Sequence, residues 1–443
     1  MRSHRVVSAV VAIAALSYVE CGGSSSSPTS AGSPSDGGVA EGGVTVDGGS
    51  AAWPVGFWYA TKLVFTDVES PAGSVDVLAG GGSYVLNVLP DMRFSYCTVF
   101  PSGNLNPECG TGTVSVQGNR LEMTPSAGDP SVAMSLPVTR SDGAFAGKSG
   151  PFQADFSGSG TPSTYTVEMA CSKVTAPSSA DHRGGYLGLV DWGDKAPVLA
   201  DLPDGQSGTL LFPLQNSAGL ALTPKPGSTG QFTLEPAAGA CAPSGEVTLL
   251  GHDQYLAVTF SEATACLGTA VPGGILYKTK TGHDLLQPNA NAIQNSGFEQ
   301  AMTPWYSWVQ DPGAAQASTA LDTSEKHSGD SSLRLDITQA GSGKRVTITQ
   351  DGMSVSAGQI GVVSFWAKAS PPRPAAFYVN HRASPWTLYG MGGATFGGQW
   401  TRYWALVDAT VTDPLVGTYF EAPDTPAGSV WVDDWTFVSY NPR

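Results

Sequence analysis

Nowhere does this chain space its apolar residues at the helical period of about 3.6 over any length, and that feature constrains its fold most. Short runs rich in Val, Thr, Tyr and Phe alternate instead with clusters of Gly, Pro, Ser and Asn, the pattern of many strands joined by turns. The expected fold class is all-β. At 443 residues the chain is too long for one ordinary core, and about three domains are expected. Only 13% of residues are charged, and the net charge is -15. Phosphate binding needs clustered Lys and Arg, so nucleic acid is excluded as a partner. A low-charge surface bearing aromatics suits a neutral ligand such as a sugar.

Arg2 and Arg5 precede the apolar stretch Val6–Leu16. That stretch is too short to cross a bilayer, which takes about 20 apolar residues, and its order matches a secretory signal. Cys21 follows, then Gly22, Gly23 and a serine run. This resembles a bacterial lipoprotein signal, in which the Cys is lipidated and becomes the new N-terminus. Tyr18, Val19 and Glu20 depart from that family's preference for a small residue before the Cys, and the alternative is ordinary secretion with cleavage elsewhere. Residues 1–20 are thus expected to be a signal peptide, and 21–52 a Gly/Ser/Pro linker too poor in apolar residues to fold. The expected location is the outer membrane or cell surface, otherwise extracellular, with membrane contact only through the lipid anchor.

Such a setting is oxidising, so the remaining cysteines are read as structural. Cys97 and Cys109 flank a turn-rich stretch and are expected to staple a hairpin; Cys241 and Cys266 bracket two strands and are expected to close another. Cys171 is left over, or pairs with Cys97 or Cys109. Residues 53–175 carry Gly56-Phe57-Trp58 and then a rhythm of short strands, with a tight hairpin expected at Gly118-Asn119. This region is similar to small lipocalin-like barrels, which implies that Trp58 plugs the barrel floor. Residues 176–288 form a second β-rich segment, in which His252-Asp253 reads as turn chemistry.

Residues 289–443 are the most specific. They contain, in order, Asn295-Ser296-Gly297-Phe298-Glu299, His327-Ser328-Gly329, Ser364-Phe365-Trp366-Ala367-Lys368-Ala369, Pro385-Trp386-Thr387-Leu388-Tyr389-Gly390 and Trp431-Val432-Asp433-Asp434. This collinear set resembles the type 4/9 carbohydrate-binding modules appended to cellulases and xylanases. The resemblance implies a C-terminal jelly-roll sandwich, preceded here by two small antiparallel β domains, and often one structural calcium. A strand period of two places Trp431, Asp433, Trp435 and Phe437 on one buried face, which strands a carboxylate among aromatics. A hard cation held by oxygens would resolve that. In the family an early Glu and a late Asp share such an ion, so Glu299 and Asp433 carry over, with Asp434 as alternate and backbone oxygen from Glu325–His327. Ordinary hydrogen bonds from loop amides to Asp433 are the other reading.

Sugar binding needs flat apolar faces for pyranose C–H groups and planar polar groups for hydroxyls. Trp305, Trp308, Trp386 and Tyr389 are the candidate platforms, and Gln350, Tyr378, Asn380, His381 and Arg382 the candidate hydrogen-bonders. Trp366 is assigned to the core or its edge. No Gly-x-Ser-x-Gly elbow, H-E-x-x-H helix or barrel-hydrolase alternation occurs. Non-catalytic binding of a β-linked polysaccharide is therefore expected. The alternatives are a hydrolase formed by residues 53–288 and targeted by the module, or a structural, adhesive surface protein without a sugar site.

Overall fold

The computed structural model describes residues 53–443 except 71–73, 100–107, 127–132, 155–162, 176–182, 192–194, 206, 216–218, 227–229, 236–244, 262–272, 311–314, 340–344 and 424–425. The expected signal peptide and linker, Cys21, Cys241 and Cys266 lie outside the described residues. All the long elements are strands, in three bodies.

The first body is an up-and-down antiparallel barrel. Its first strand, Gly56–Asp67, pairs with both Ser83–Val88 and Ser163–Lys173, which closes the sheet. Alternation sends Trp58 into an apolar interior with Phe94, Phe145 and Met169. Its indole N–H donates to the Pro54 carbonyl at 2.6 Å. Gly56 is required here: its φ is +130° and a Cβ would lie 2.5 Å from Lys173 Cε. The Gln117/Arg120 hairpin forms as expected, but only Gly118 takes positive φ, so its turn needs one such residue rather than two. Cys97 faces Cys109 across adjacent strands and they form a disulfide, while Cys171 is a buried free thiol.

A second closed barrel runs from Gly184–Asp191 to Gly273–Lys278. It repeats the opening of the first. Gly184 has φ +132° with Lys278 Cε 2.9 Å from its would-be Cβ, and Tyr186 faces Lys278 in register as Trp58 faces Lys173. Several of its strands, Lys195–Leu202 among them, are buried along nearly their whole length. One face fills the barrel, and the other enters an apolar cluster shared by all three bodies. That cluster joins Phe57 and Val85 of the first barrel, Leu187 and Ile275 of the second, and Ile360 and Val362 of the third body. Polar ties cross the same junctions: Arg93 Nη1 to Asp191 Oδ1 at 2.8 Å, and Arg402 Nη1 to the Leu214 carbonyl at 2.7 Å.

The third body is a sandwich of two five-stranded antiparallel sheets. The front sheet runs Tyr306–Val309, Arg345–Val355, Asp413–Pro423, Arg373–His381, Leu388–Phe396; the back sheet runs Gln316–Asp322, Ser332–Gln339, Gly428–Tyr440, Ile360–Ser370, Thr401–Asp408. Between them lies a core built on Phe365, Phe377, Phe420 and Trp435. One expectation fails here. Trp431 does not share the core face with Trp435, because the register shifts at Asp433-Asp434, where Asp434 takes φ +50°. This bulge reverses the alternation, so Val430 and Val432 point inward before it and Trp435 and Phe437 after it. Trp431 is turned to the outer face, where its indole N–H donates to Asp322.

At the junction of sandwich and second barrel, burial pushes the Asp408 carboxyl up to about 6, opposed only in part by Lys280. Between pH 3.8 and about 6 the folded chain holds a proton there that the unfolded chain has released, so stability falls as pH rises through that window. Asp408→Asn is expected to raise stability at pH 7.5 by about 2–3 kcal/mol and to flatten the acid limb, read from denaturant unfolding at several pH values. An unchanged pH profile in the variant would refute this.

Candidate carbohydrate-binding face

The outer face of the front sheet carries two cross-strand rows. One runs Tyr306, Thr349, Tyr419, Tyr378, Met391, and the other Trp308, Thr347, Glu421, Ala376, Gly393. Each member is placed outward by strand alternation, because its neighbours Ile348, Phe420 and Phe377 fill the core. At the edge strand Trp308 is 51% exposed and Tyr306 42%, while small Ala376 and Gly393 keep the far end of the second row low. Tyr378 and Tyr419 stack with centroids 4.8 Å apart.

The charged groups on this face neutralise one another. Arg382 Nε donates to Asp351 Oδ1 at 2.5 Å, and the Tyr306 hydroxyl donates to Asp351 Oδ2 at 2.5 Å. The guanidinium of Arg382 lies over the rings of Tyr419 and Trp386, at 5.1 and 5.9 Å. It reaches there because Gly417 has no side chain: a Cβ would sit 2.5 Å from Arg382 Cδ and 2.6 Å from Asp351 Oδ1. Arg345 pairs with Glu421 at 3.2 Å, and the Tyr378 hydroxyl donates to Glu421 at 3.1 Å. Burial raises the Glu421 carboxyl above the ordinary carboxylate range, and burial raises Tyr378 well above the ordinary phenol range. The result is a strip of aromatic faces fringed by fixed, mutually paired polar groups.

Of the residues expected from sequence, this face brings together Trp308, Trp386, Tyr378, Asn380 and Arg382. Trp386 is 56% exposed in the loop after His381, and Asn380 is buried opposite Gly417. Tyr389, Trp305 and Gln350 are corrections. Tyr389 is core, its hydroxyl donating to Asp413 Oδ2 at 2.8 Å, the oxygen that also contacts His381 Nδ1 at 2.8 Å. The pair braces the Trp386 loop from beneath. Trp305 packs 4.9 Å from Trp435, and Gln350 exchanges two hydrogen bonds with the Gln294 backbone, so neither is accessible. Sequence reasoning missed Tyr306, Asp351, Tyr419 and Glu421. Alternation signalled them, since Tyr306 is two residues from Trp308 and Tyr419 two from Glu421, but which phase faced outward was not decidable without the core.

The three carboxylates expected at a calcium site all meet the loop 327–330. Asp433 is fully buried, with Oδ2 accepting the His327 and Ser328 amides at 2.9 and 3.1 Å and Oδ1 accepting its neighbour's amide. Burial pushes its carboxyl up. Glu299 Oε2 accepts the Asp330 amide at 2.8 Å, and Asp434 accepts the Ser328 hydroxyl at 2.7 Å and meets His327 Nδ1 at 2.7 Å. Glu299 Oε1 and Asp434 Oδ1 lie 3.6 and 4.0 Å from the position of a Cβ on Gly297, so both carboxylates border the space above that glycine. Among the described residues no three His, Cys, Asp or Glu side chains form a metal-holding group. The donor chemistry fits a hard cation only if loop carbonyls complete the set.

Residues 290–427 match the model of a family described as carbohydrate binding domain, types 4 and 9, so the C-terminal region carries a module of that family. Solved structures similar to the chain include a CBM4 module, with 21% identity over 34% of this chain and 99% of that one at a TM-score of 0.28. The CBM22-1 xylan-binding domain of Paenibacillus barcinonensis Xyn10C has 13% identity over 37% and 99%, at 0.26. A cyclase from Fischerella sp. TAU has 10% identity over 35% and 98%, at 0.30. No curated protein matches.

Proposed function

We propose that this chain binds a neutral β-linked polysaccharide along the outer face of the front sheet, without catalysing a reaction, and that it does so at the cell surface as an exported lipoprotein anchored through Cys21. One observation carries the binding: Tyr306, Trp308 and Tyr419 present aromatic rings on the outer face of the front sheet, and among the described residues of that face Arg345 pairs with Glu421 and Arg382 with Asp351. Aromatic planes take the C–H faces of sugars, and fixed amide, phenol and carboxylate groups take hydroxyls. Among the described residues of that face, an ionic ligand would find each of these charges already paired. The barrels support scaffolding rather than catalysis, since their interiors are filled by apolar side chains.

The test is affinity electrophoresis of the full chain through gels containing xylan, β-glucan, cellulose derivatives or mannan. The isolated sandwich is unsuitable, because Ile360, Val362 and Tyr440 would be stripped of their cover by the second barrel. Retardation by at least one neutral glycan is expected; unretarded migration of folded protein in every gel would overturn the reading. Anchoring is tested by incorporation of labelled palmitate, expected in the native chain and lost in Cys21→Ser.

A calcium ion, held by Glu299 and Asp434 with Asp433 ordering the 327–330 loop, is part of the same proposal. Bound there, it would supply charge neutralisation and rigidity to the sandwich rather than contact with sugar. Calcium is expected to raise the melting temperature by several degrees over chelator, and Glu299→Gln to remove most of that gain. Identical melting with calcium and chelator would refute it.

A further inference from the structure

The outer face of the back sheet is divided. At one end Ile360, Val362, Trp404 and Leu406 are covered by the barrels. At the other end a single cross-strand row, Arg334, Trp431, Lys368, continues to Trp400, and nothing in the shared cluster covers it. Lys368 Nζ lies 4.9 Å from the Trp431 ring and 5.4 Å from the Trp400 ring, so the two indoles stand on either side of one ammonium. They are separated by two strand spacings, about 9–10 Å. The neighbouring Trp366 is masked by His327, whose ring stacks on it at 3.8 Å.

The side chains that flank the row are held by partners. Lys368 pairs with Glu325, Arg334 with Asp322 and Asp336 at 3.0 and 2.9 Å, and His327 with Asp434 at 2.7 Å. These pairs fix the side chains and leave polar atoms pointing around two half-buried indoles. The surface therefore shares two features of the front face: separated aromatic planes and side chains fixed by polar partners.

From this we infer that the row Trp400–Lys368–Trp431 is a second site for a neutral glycan chain, on the side of the sandwich opposite the first. The separation of the indoles is about the length of a disaccharide unit, so one chain would lie across both rings. Two sites on opposite sides make a single molecule able to bridge two polysaccharide chains.

The experiment titrates the full chain with a β-1,4-gluco-hexasaccharide and, separately, with soluble hydroxyethylcellulose. Three proteins are compared: native, Trp308→Ala/Tyr419→Ala, and Trp400→Ala/Trp431→Ala, each checked for fold by near-ultraviolet dichroism. Two hexasaccharides per native chain are expected, falling to one in either double variant, with bridging of the polymer into a viscous phase by the native chain alone. A native stoichiometry of one, abolished by the front-face variant and untouched by the back-face variant, would overturn the inference while sustaining the front face. One site abolished only by the back-face variant would sustain the inference and overturn the front face. Should Trp400→Ala/Trp431→Ala fail to fold, the native stoichiometry decides by itself. No binding of either probe would overturn both.

Discussion

Cutting Trp435 back to alanine is expected to cost about 3–5 kcal/mol of stability, enough to threaten the folding of the sandwich. Trp435 is fully buried at its centre, 4.3 Å from Phe365, 4.9 Å from Trp305 and 6.3 Å from Phe420 by ring centroid. Alanine would open a cavity bounded by rings from both sheets, and aromatic walls collapse poorly. Trp435→Phe separates packing from polarity. The indole N–H has no acceptor among the described residues, so phenylalanine loses volume but also removes an unsatisfied donor, and a cost below about 2 kcal/mol is expected. Denaturant unfolding of both variants measures this. Equal costs for Ala and Phe would mean that volume at this position does not organise the core.

The second large effect concerns binding. Trp308→Ala is expected to weaken glycan affinity about thirtyfold, or about 2 kcal/mol, while changing stability by no more than about 0.5 kcal/mol. The contrast follows from position, since half of this side chain faces solvent on an edge strand and little depends on it internally. Tyr419→Ala should match the loss of affinity but cost some stability as well, because the ring supports Arg382 and stacks on Tyr378. Isothermal titration against the glycan that retards the native chain gives the affinities, and thermal melting the stabilities. Undiminished affinity in both variants would remove the front face from the mechanism.

The barrels show where reading strands from alternation works and where it stops. In the first barrel the strand Arg120–Pro125 alternates as a half-buried strand should, because one face is wet. In the second, Gly184–Asp191 and Lys195–Leu202 show no such alternation, because the interdomain cluster buries the face that would have been polar. Those strands carry no period-two signal for that reason. The two barrels and the sandwich share one apolar seam.

The sequence alone determined the all-β class and, through an ordered set of short motifs in residues 289–443, the resemblance to a carbohydrate-binding module that the family match over 290–427 supports; of the pairings it left open for Cys97, Cys109 and Cys171, the structure forms Cys97–Cys109. The sequence also placed Trp308 and Trp386 among the candidates for contact with ligand. Only the tertiary structure decided that Tyr389, Trp305 and Gln350 are internal and that Tyr306, Tyr419 and Glu421 belong to the face. It alone turned Trp431 outward, through a one-residue bulge at Asp433-Asp434. The reason is geometric: a period of two says which residues share a face, but the side that is buried depends on partners distant in the chain, and a single bulge reverses the answer.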